Sequence, residues 1–416
     1  MWKRKFIGLL LASTLIIGIL GSSGCIGQEE ERDYFSIGVI TSLTGEFARG
    51  GYVTKRGYDI WANTVNDMGG LSIGGTSYRV ELTYYDAKSD PAQAAKAAEK
   101  AVADNVDFLF GPYSSACTLG AAPIAERDKM PHITGSAESH LIPEEHYDWT
   151  FQILVTTKET PPAPIKCLVE QYKLDISTAA IIGADDAFSK GMAESFVTTC
   201  ESYGLTVVYY EIFPGTITDM SAIITKVAAK APDLFIVAGH PDDHVIAVRN
   251  SMELGFSPKV FLVHWGVTTA DFLGELKEDA NLVVGVDMWA KDLPWTDPVF
   301  DSSPGFADKF ETVHGRLPDY TEASCAATGV FTGELLKHYE LTPPFDEDKR
   351  AEFRDAVEEF TVETFLGKVD FSTEEAHWHV NAGLAEYLLV VQIIDQTPVI
   401  IGPAEAKQAD IEFPYG

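Results

Sequence analysis

The chain has 416 residues, 46% of them hydrophobic, and a formal net charge of −31 at pH 7. The apolar content excludes an intrinsically disordered chain, because such chains lack the residues to build a core. The length exceeds one ordinary hydrophobic core, so we expect two lobes. The acidic balance, with no basic stripe to offset it, excludes nucleic acid as a partner, since the two would repel each other.

The N-terminal segment has the three-part pattern of a secretory signal. Residues 3–5 are basic, residues 6–20 form an almost unbroken apolar run, and small residues precede Cys25. The run is shorter than the roughly 20 residues of a membrane span, and its basic flank disfavours the alternative of a buried core helix. We predict a signal peptide over residues 1–24, a polar tether over residues 25–33, and an exported protein.

Alternating strand and helix patterns follow the tether. Apolar runs predict buried strands, and amphipathic patterns predict helices that start at caps such as Asp90 and stop at glycines. The predicted order is strand 36–40, helix 51–67, strand 78–85, helix 90–104, strand 106–110, helix 115–128 and strand 132–134. This β-α-β-α order predicts a doubly wound α/β lobe, that is, a parallel sheet with helices on both faces.

A second set of the same kind begins near residue 157. Its predicted elements are strands 179–182, 206–211, 234–238 and 260–263, with helices 189–203, 220–229 and 244–254 between them. Later helices at 303–314 and 319–339 do not complete a third sheet. Two apolar runs, 387–394 and 398–401, indicate a hairpin near the end of the chain.

These later elements predict that the chain crosses between the two lobes several times. The late helices return to the first lobe, and the hairpin crosses back to the second. The first lobe is predicted to comprise residues 34–154 and 291–362, and the second residues 155–290 and 363–416. Several crossings form a hinge, which suits closure of two lobes around a ligand.

Open parallel sheets bind ligands beyond the carboxyl ends of their strands, so the loops there hold the candidate site residues. In the first lobe, loop 111–118 carries four hydroxyl residues where a helix begins. Ser115 and the free N–H groups there suit a carboxylate or another acceptor, with ordinary N-capping as the alternative. Loop 134–139 adds Ser136 and Glu138, and a solvated loop acid is the alternative for Glu138.

The strand ends of the second lobe add three aromatic candidates. Phe188 lies in loop 183–189, His240 in loop 239–244, and Trp265 follows the next strand. Aromatic side chains are by default core residues, so their position at strand ends is what favours a site. We expect them to face the first-lobe loops across a cleft.

Metal binding and catalysis are the alternatives to plain ligand binding. His240 and His244, with Asp242 and Asp243 between them, have a metal-like composition. A helix that starts only after Asp243 would keep the two imidazoles off a common face. The sequence contains no nucleophile elbow, HExxH motif or phosphate loop. We therefore predict no metal, no cofactor and no enzymatic activity.

Short motifs recur in a fixed order over nearly everything after the tether. They are residues 37–39, 43–45, Asp86, 90–91, 110–115, 255–256, 367–371, 391–392 and Pro403. Their order and spacing resemble the leucine/isoleucine/valine-binding protein family of type I periplasmic binding proteins. The resemblance implies a Venus-flytrap fold that captures a small solute and delivers it to the permease and ATPase subunits of an ABC importer.

Three candidate residues match positions that contact ligand in that family. By resemblance, Ser115 matches the serine that helps to hold a ligand α-carboxylate, and Ser136 matches a position that contributes a backbone contact. Phe188 matches an aromatic ring of the second lobe. These matches imply a cleft that holds an acceptor group at its first-lobe side.

Four other positions depart from the family pattern. Glu138 falls where the amino-acid binders have a threonine, and His240 falls where an aromatic hydroxyl residue contacts the ligand. Trp265 replaces the glutamate that holds the α-ammonium, and Gly50 falls where a tyrosine often sits. These departures favour a ligand with a relocated or substituted amine, or an amide, over plain leucine. An aromatic acid stacked on Trp265 is the competing choice.

The cysteines carry two further expectations. The placement of Cys25 resembles a lipobox, although Ser22 stands where the family has leucine, and this implies a lipid anchor on the outer face of the cytoplasmic membrane. Cys167 and Cys200 lie on successive helical segments of the second lobe. We predict a disulfide between them, with two buried free thiols as the alternative.

The partners follow from the same resemblance. We predict a monomer that contacts a small-molecule ligand, an ABC importer and, through its anchor, the membrane. A ligand-sensing ectodomain of a signalling system is the alternative function. A sensor of that kind usually has its own membrane span and output domain, and the sequence shows neither, which favours transport.

Overall fold

The structure, a computed structural model, describes residues 32–371, 373–374 and 377–415. The predicted signal peptide, Cys25 and most of the tether over residues 25–33 lie outside the described residues. Among the helices of the described part, none combines the length and the continuous hydrophobicity that crossing a bilayer requires. Two α/β lobes account for most of these residues, and each is built around its own sheet.

The first sheet has six strands in the order β2-β3-β1-β4-β5-β6. The strands are β1 (Tyr34–Thr41), β2 (Leu71–Ile73), β3 (Thr76–Asp86), β4 (Phe108–Phe110), β5 (His132–Thr134) and β6 (Thr150–Gln152). Helices α1 (Ala48–Asp67), α2 (Pro91–Ala103), α3 (Ser115–Arg127) and α4 (Leu141–Glu144) connect them. All of its pairings are parallel except that of the short β2 with β3.

The second sheet has seven strands in the order β15-β14-β11-β10-β9-β7-β8. The strands are β7 (Thr178–Ala184), β8 (Thr206–Phe213), β9 (Leu234–Ala238), β10 (Val260–Val263), β11 (Val284–Asp287), β14 (Leu389–Ile394) and β15 (Thr397–Gly402). The helices around it are α5 (Pro162–Lys166), α6 (Ala187–Ser202), α7 (Ser221–Ala228), α8 (Pro241–Glu253) and α9 (Ala270–Leu276). The predicted doubly wound architecture and the C-terminal hairpin, β14 with β15, are confirmed.

The chain between the second sheet and the hairpin packs on the first lobe. It forms α10 (Ser303–His314), α11 (Tyr320–His338), α12 (Glu347–Glu359), β12 (Val362–Thr364) and β13 (Gly367–Val369). Helix α11 lies against α1, and the two approach so closely at Gly329 that a Cβ there would stand 2.0 Å from the Trp61 ring. Near the start of α11 the packing is equally close, because a Cβ at Gly57 of α1 would stand 2.5 Å from the carbonyl oxygen of Glu322.

Two features of this region differ from the sequence expectation. First, β12 and β13 form a small third sheet where none was predicted. Second, Phe371 packs edge-on against Phe151 at 5.3 Å, and the Gln152 N–H donates to the carbonyl of His379 at 2.9 Å. Both contacts join the segment after residue 363 to β6 of the first sheet. This segment therefore contacts the first sheet before the chain reaches β14.

The predicted disulfide between Cys167 and Cys200 is wrong, because both are buried free thiols in the structure. Cys167 sits in a π-helical turn (Cys167–Gln171), and its sulfur lies 3.9 Å from the carbonyl oxygen of Ile401 on β15. Cys200 is buried on α6. Cys167 therefore faces the C-terminal hairpin.

The carboxyl ends of the parallel strands in both lobes face the cleft. Strands β4 and β5 end at the loops that carry the first-lobe candidates, and β7, β9 and β10 end at those that carry the second-lobe candidates. This arrangement is the one in which open parallel sheets bind ligands.

Candidate functional site

A small cavity lies between the two lobes at these strand ends. All six residues that the sequence analysis selected for a ligand line it: Ser115, Ser136, Glu138, Phe188, His240 and Trp265. The structure thus brings together loops that are far apart in sequence and belong to both lobes.

Four further residues line the cavity and were not selected from the sequence: Tyr113, Ser114, Tyr320 and Thr321. Tyr113 and Ser114 belong to the same loop as Ser115. Tyr320 is the first residue of α11, which returns to the first lobe after the second sheet. Asp319, a strong N-cap residue, marks this helix start in the sequence, but nothing local indicates that the chain returns there beside the cleft.

The side chain of Ser115 links two first-lobe loops by hydrogen bonds. Ser115 does not cap its helix. It is the first residue of α3, whose N-cap is Ser114. The Ser115 hydroxyl oxygen accepts hydrogen bonds from the N–H groups of Glu138 and Ser139, each at 3.2 Å. The hydroxyl donates to no described residue, so its proton is available to an acceptor in the cavity.

Glu138 is buried, with 5% of its surface exposed, so the alternative of a solvated loop acid is wrong. Its Oε1 accepts a hydrogen bond of 2.6 Å from the hydroxyl of Tyr320. Its Oε2 has no hydrogen-bond partner among the described residues. That oxygen lies 3.7 Å from Nε2 of His264, across the cleft. One carboxyl oxygen is therefore fixed and the other is available to a donor.

His264 does not supply a full counter-charge to that oxygen. It is fully buried, and burial lowers its pKa more than the neighbouring Glu138 raises it. The imidazole is therefore neutral near neutral pH. A buried acceptor without a partner is costly, so a donor placed against Glu138 by a ligand gains a large interaction.

His240 lies between the lobes and pairs with both. Its Nδ1 is 2.7 Å from the hydroxyl of Tyr113 in the first lobe, and its Nε2 is 3.3 Å from Oδ2 of Asp186 in the second. Burial lowers the pKa of His240, but the negative charges of Asp186 and Asp243 raise it by a larger amount, so the net shift is upward. Burial raises the pKa of Asp186, yet the imidazole of His240 brings it down to about 2.

Aromatic rings form the second-lobe wall of the cavity. The Phe188 ring lies 4.9 Å from the ring of His264 and 5.5 Å from that of His240. Trp265 packs edge-on against Tyr320 at 5.6 Å, and its indole N–H donates to the carbonyl of Gly239 at 3.2 Å. The indole therefore presents its ring, and not its N–H, to the cavity.

Gly50 explains one departure from the family pattern. A Cβ at this position would stand 2.1 Å from the ring of Tyr113. The Tyr113 ring thus occupies the space that a larger residue at position 50 would need. The space next to Gly50 is filled by an aromatic hydroxyl residue from another loop.

Exposed ion pairs close the rim of the cleft above the cavity. Arg49 of α1 pairs with Asp242, with Asp271 at 3.3 Å and with Glu275 at 2.8 Å, and all three acids belong to the second lobe. The direct contacts between the lobes show that the structure is a closed form.

The metal alternative at His240 and His244 finds no support in the geometry. Helix α8 begins at Pro241, earlier than the sequence suggested, so His240 precedes the helix and His244 lies within it. The described residues contain no group of three or more side chains placed to hold a metal ion.

Comparison with known proteins places this geometry in a family. The Leu/Ile/Val-binding protein BraC3 of Rhizobium johnstonii is 26% identical over 51% of this chain and 56% of its own length. The leucine-, isoleucine-, valine-, threonine- and alanine-binding protein of Pseudomonas aeruginosa is 25% identical over 59% of this chain and 64% of its own length. The chain thus spans less than two thirds of either relative.

Solved structures share the fold over nearly their whole length. A branched-chain amino acid transporter substrate-binding protein of Streptococcus pneumoniae, in complex with isoleucine, superposes with a TM-score of 0.74 at 19% identity, covering 92% of this chain and 100% of its own. A solute-binding protein of an ABC transporter from R. palustris, in complex with benzoate, superposes with a TM-score of 0.76 at 17% identity, covering 91% and 99%.

The sequence model for periplasmic binding proteins matches residues 35–389. That range contains both sheets up to the start of β14 and every residue that lines the cavity. The chain belongs to the periplasmic binding protein family, and to the leucine/isoleucine/valine-binding type that its motifs predict.

Proposed function

We propose that this protein is an extracytoplasmic receptor that closes its two lobes around one small polar solute and delivers the solute to an ABC importer. The observation that carries the proposal is the convergence of six residues from two lobes on one cavity. Family membership supports the same role. A receptor of this kind needs differential affinity for the open and closed forms, because only that difference shifts their populations.

The chemistry of the cavity favours a ligand with a hydrogen-bond donor at one end and an acceptor at the other. Ser115 and Ser136 offer hydroxyl groups to the acceptor end, since the buried hydroxyl of Ser136 has no partner among the described residues. The free Oε2 of Glu138 suits an amine or amide N–H. An aromatic wall completes the cavity and attracts a cationic amine by roughly 0.5–2 kcal/mol.

The charges that line the cavity support an amine over an aromatic acid. No lysine or arginine is among the ten described residues that line it. A lone carboxylate, such as that of the benzoate bound by the R. palustris protein, would find His240 as its only cationic partner there. It would also leave Oε2 of Glu138 without a donor. We therefore favour a small solute with a substituted or relocated amine, or an amide, over plain leucine and over an aromatic acid.

We propose that residues 1–24 are removed, that Cys25 is lipidated, and that the mature protein works as a monomer on the outer face of the cytoplasmic membrane. Two acyl or ether chains suffice for stable attachment. We also propose two lobes, one of residues 34–154 with 291–362 and the other of residues 155–290 with 363–416.

Two experiments on the purified protein test the proposal. Native mass spectrometry identifies any solute that is carried through purification. Calorimetry with branched amino acids, amides, quaternary amines and aromatic acids then ranks the ligand classes. We expect the tightest binding from a compound with an amine or amide. Tight binding of leucine that is unaffected by Trp265→Ala or Glu138→Gln contradicts the ligand assignment, and absence of any small-molecule binding contradicts the receptor role.

A ligand-sensing ectodomain of a signalling system is the alternative function, since it can use the same two-lobed closure. Stimulation of ATP hydrolysis in a reconstituted importer by the liganded protein separates the two. A receptor for transport stimulates the ATPase of its own importer. A sensor leaves it unchanged.

A further inference from the structure

A second cavity adjoins the ligand cavity and lies between the same two lobes. Among the described residues, Trp265 alone lines both cavities. Elsewhere the backbone separates the two cavities. His240 and Tyr320 line the first cavity, and their chain neighbours Pro241 and Asp319 line the second. Trp265 is therefore the side chain that both cavities share.

Trp265 is held firmly in this position. It is 3% exposed, its indole N–H donates to the carbonyl of Gly239 at 3.2 Å, and its ring packs edge-on against Tyr320 at 5.6 Å. A side chain anchored at its polar atom and along its ring does not rotate away without losing both contacts. The ligand cavity is thus closed on this side by a fixed wall.

The second cavity offers a different surface from the first. Val53 and Pro241 provide apolar contact. Arg56 donates through Nε to Glu322 at 2.6 Å, and its two terminal nitrogens donate to no other described residue. Burial, assisted by Glu322, raises the pKa of Asp319 to about 8, so this carboxyl group is protonated near neutral pH. Arg49, Arg316 and Asp271 also line the cavity, but their charges are paired, Arg49 with Asp271 at 3.3 Å and Arg316 with Glu322 at 2.5 Å. Because these charges are compensated, the space suits an uncharged chain.

We propose that Trp265 sets the upper limit on ligand length, because its indole closes the ligand cavity against a second compartment that could hold an uncharged extension of the ligand. The inference rests on the proposed function, since it concerns the size of the solute that the cleft accepts. It assigns to Trp265 a role in specificity beyond that of an aromatic wall.

Calorimetry with two matched pairs of compounds tests the proposal. The pairs are leucine amide with its N-butyl amide, and glutamine with its side-chain N-butyl amide. In the wild-type protein the extended compound of each pair binds at least about tenfold more weakly than its parent. Trp265→Ala removes or reverses this preference. Val53→Phe added to Trp265→Ala fills the second compartment and restores the discrimination. An unchanged ratio in Trp265→Ala overturns the proposal.

A crystal structure of closed Trp265→Ala provides a readout that does not depend on ligand choice. We expect one continuous cavity that extends from Ser115 to Val53. Trp265→Phe is a milder variant, because its ring should keep the two cavities partly separate. Two cavities that stay separate in Trp265→Ala overturn the proposal even if no compound of either pair binds. Failure of all four compounds to bind the wild-type protein contradicts the ligand chemistry, whereas the cavity result decides the role of Trp265.

Discussion

Two sets of contacts hold the lobes together, one buried and one exposed, and they do different work. In the buried set, Tyr113 pairs with His240, and Glu138 faces His264 at 3.7 Å without a hydrogen bond. The exposed set joins Arg49 to three acids at the rim, where the paired side chains are 30–60% exposed. Buried polar groups interact strongly and depend on exact partners, whereas exposed ion pairs are weak and are screened by salt.

This difference assigns ligand choice to the buried contacts and general closure to the rim. A ligand replaces or completes the contacts of Glu138 and His240, so its chemistry matters there. Arg49 meets its partners in the closed form whatever the cavity contains. Substitutions in the two regions should therefore change binding in distinguishable ways.

Glu138→Gln should have the largest effect on binding. A hydrogen bond to a charged group is worth about 1.5–3 kcal/mol, so we expect about 10- to 150-fold weaker binding of an amine-bearing ligand by calorimetry. Benzoate is the matched control ligand, because it has no donor for Glu138, and its affinity should not fall. Equal losses for both ligands would mean that Glu138 supports the fold of the loop and does not contact the ligand.

Asp186→Asn tests the buried pair with His240 through its pH dependence. The pKa of Asp186 lies below its ordinary value, so its contribution to stability is present above about pH 4 and is lost as the pH falls through about 2. The pKa of His240 is raised, so its contribution is present below its unfolded pKa of about 6.5 and is lost as the pH rises through the folded value. Between about pH 4 and pH 6.5, the wild type should therefore exceed the variant in unfolding free energy by about 2 kcal/mol.

Asparagine is a suitable replacement at this position because it also caps a helix. The Asp186 side chain accepts hydrogen bonds from the N–H groups of Phe188 and Ser189, and asparagine retains an acceptor for them. Chemical denaturation over a pH series gives the result. A difference between wild type and variant that stays constant from pH 3 to pH 9 would show that the ion pair contributes nothing.

Tyr320→Phe should have an intermediate effect. The hydroxyl of Tyr320 fixes Oε1 of Glu138 and leaves only Oε2 to the ligand. The variant keeps the ring against Trp265 and removes one hydrogen bond, so we expect a loss of about 0.5–1.5 kcal/mol, or roughly 2- to 12-fold in Kd for an amine-bearing ligand. Tyr320→Phe in a Glu138→Gln background should then add little, because the two residues act as one unit. Full additivity in that double-mutant cycle would separate their roles.

Arg49→Gln should have the smallest effect and the strongest dependence on salt. Exposed pairs contribute about 0.2–1 kcal/mol, so we expect Kd to rise by about 1.4- to 5-fold at low salt for every ligand alike. The effect should vanish near 1 M salt, where screening extends over about 3 Å. Lys100→Gln is the matched control, because Lys100 forms an exposed pair with Asp104 within the first lobe. A change in ligand preference in Arg49→Gln would assign the rim a role in recognition.

The two-lobed architecture could be predicted from the sequence because the signals for strands and helices lie within short segments of the chain. Apolar runs and caps located the sheets, and the loops at their carboxyl ends supplied Ser115, Glu138 and Trp265. Tyr320 was not found, because it reaches the cavity through the return of α11 to α1, which is a long-range contact. The direction in which Cys167 faces was also unpredictable, since the hairpin that it packs against lies far away in sequence.

The measurement that tests the account most directly is a crystal structure of the protein with the solute that it carries through purification. We expect the solute in the cavity between the lobes, with an amine or amide nitrogen about 3 Å from Oε2 of Glu138 and an acceptor group at the hydroxyl of Ser115. A solute bound elsewhere, or one that places no donor against Glu138 inside this cavity, would contradict the account.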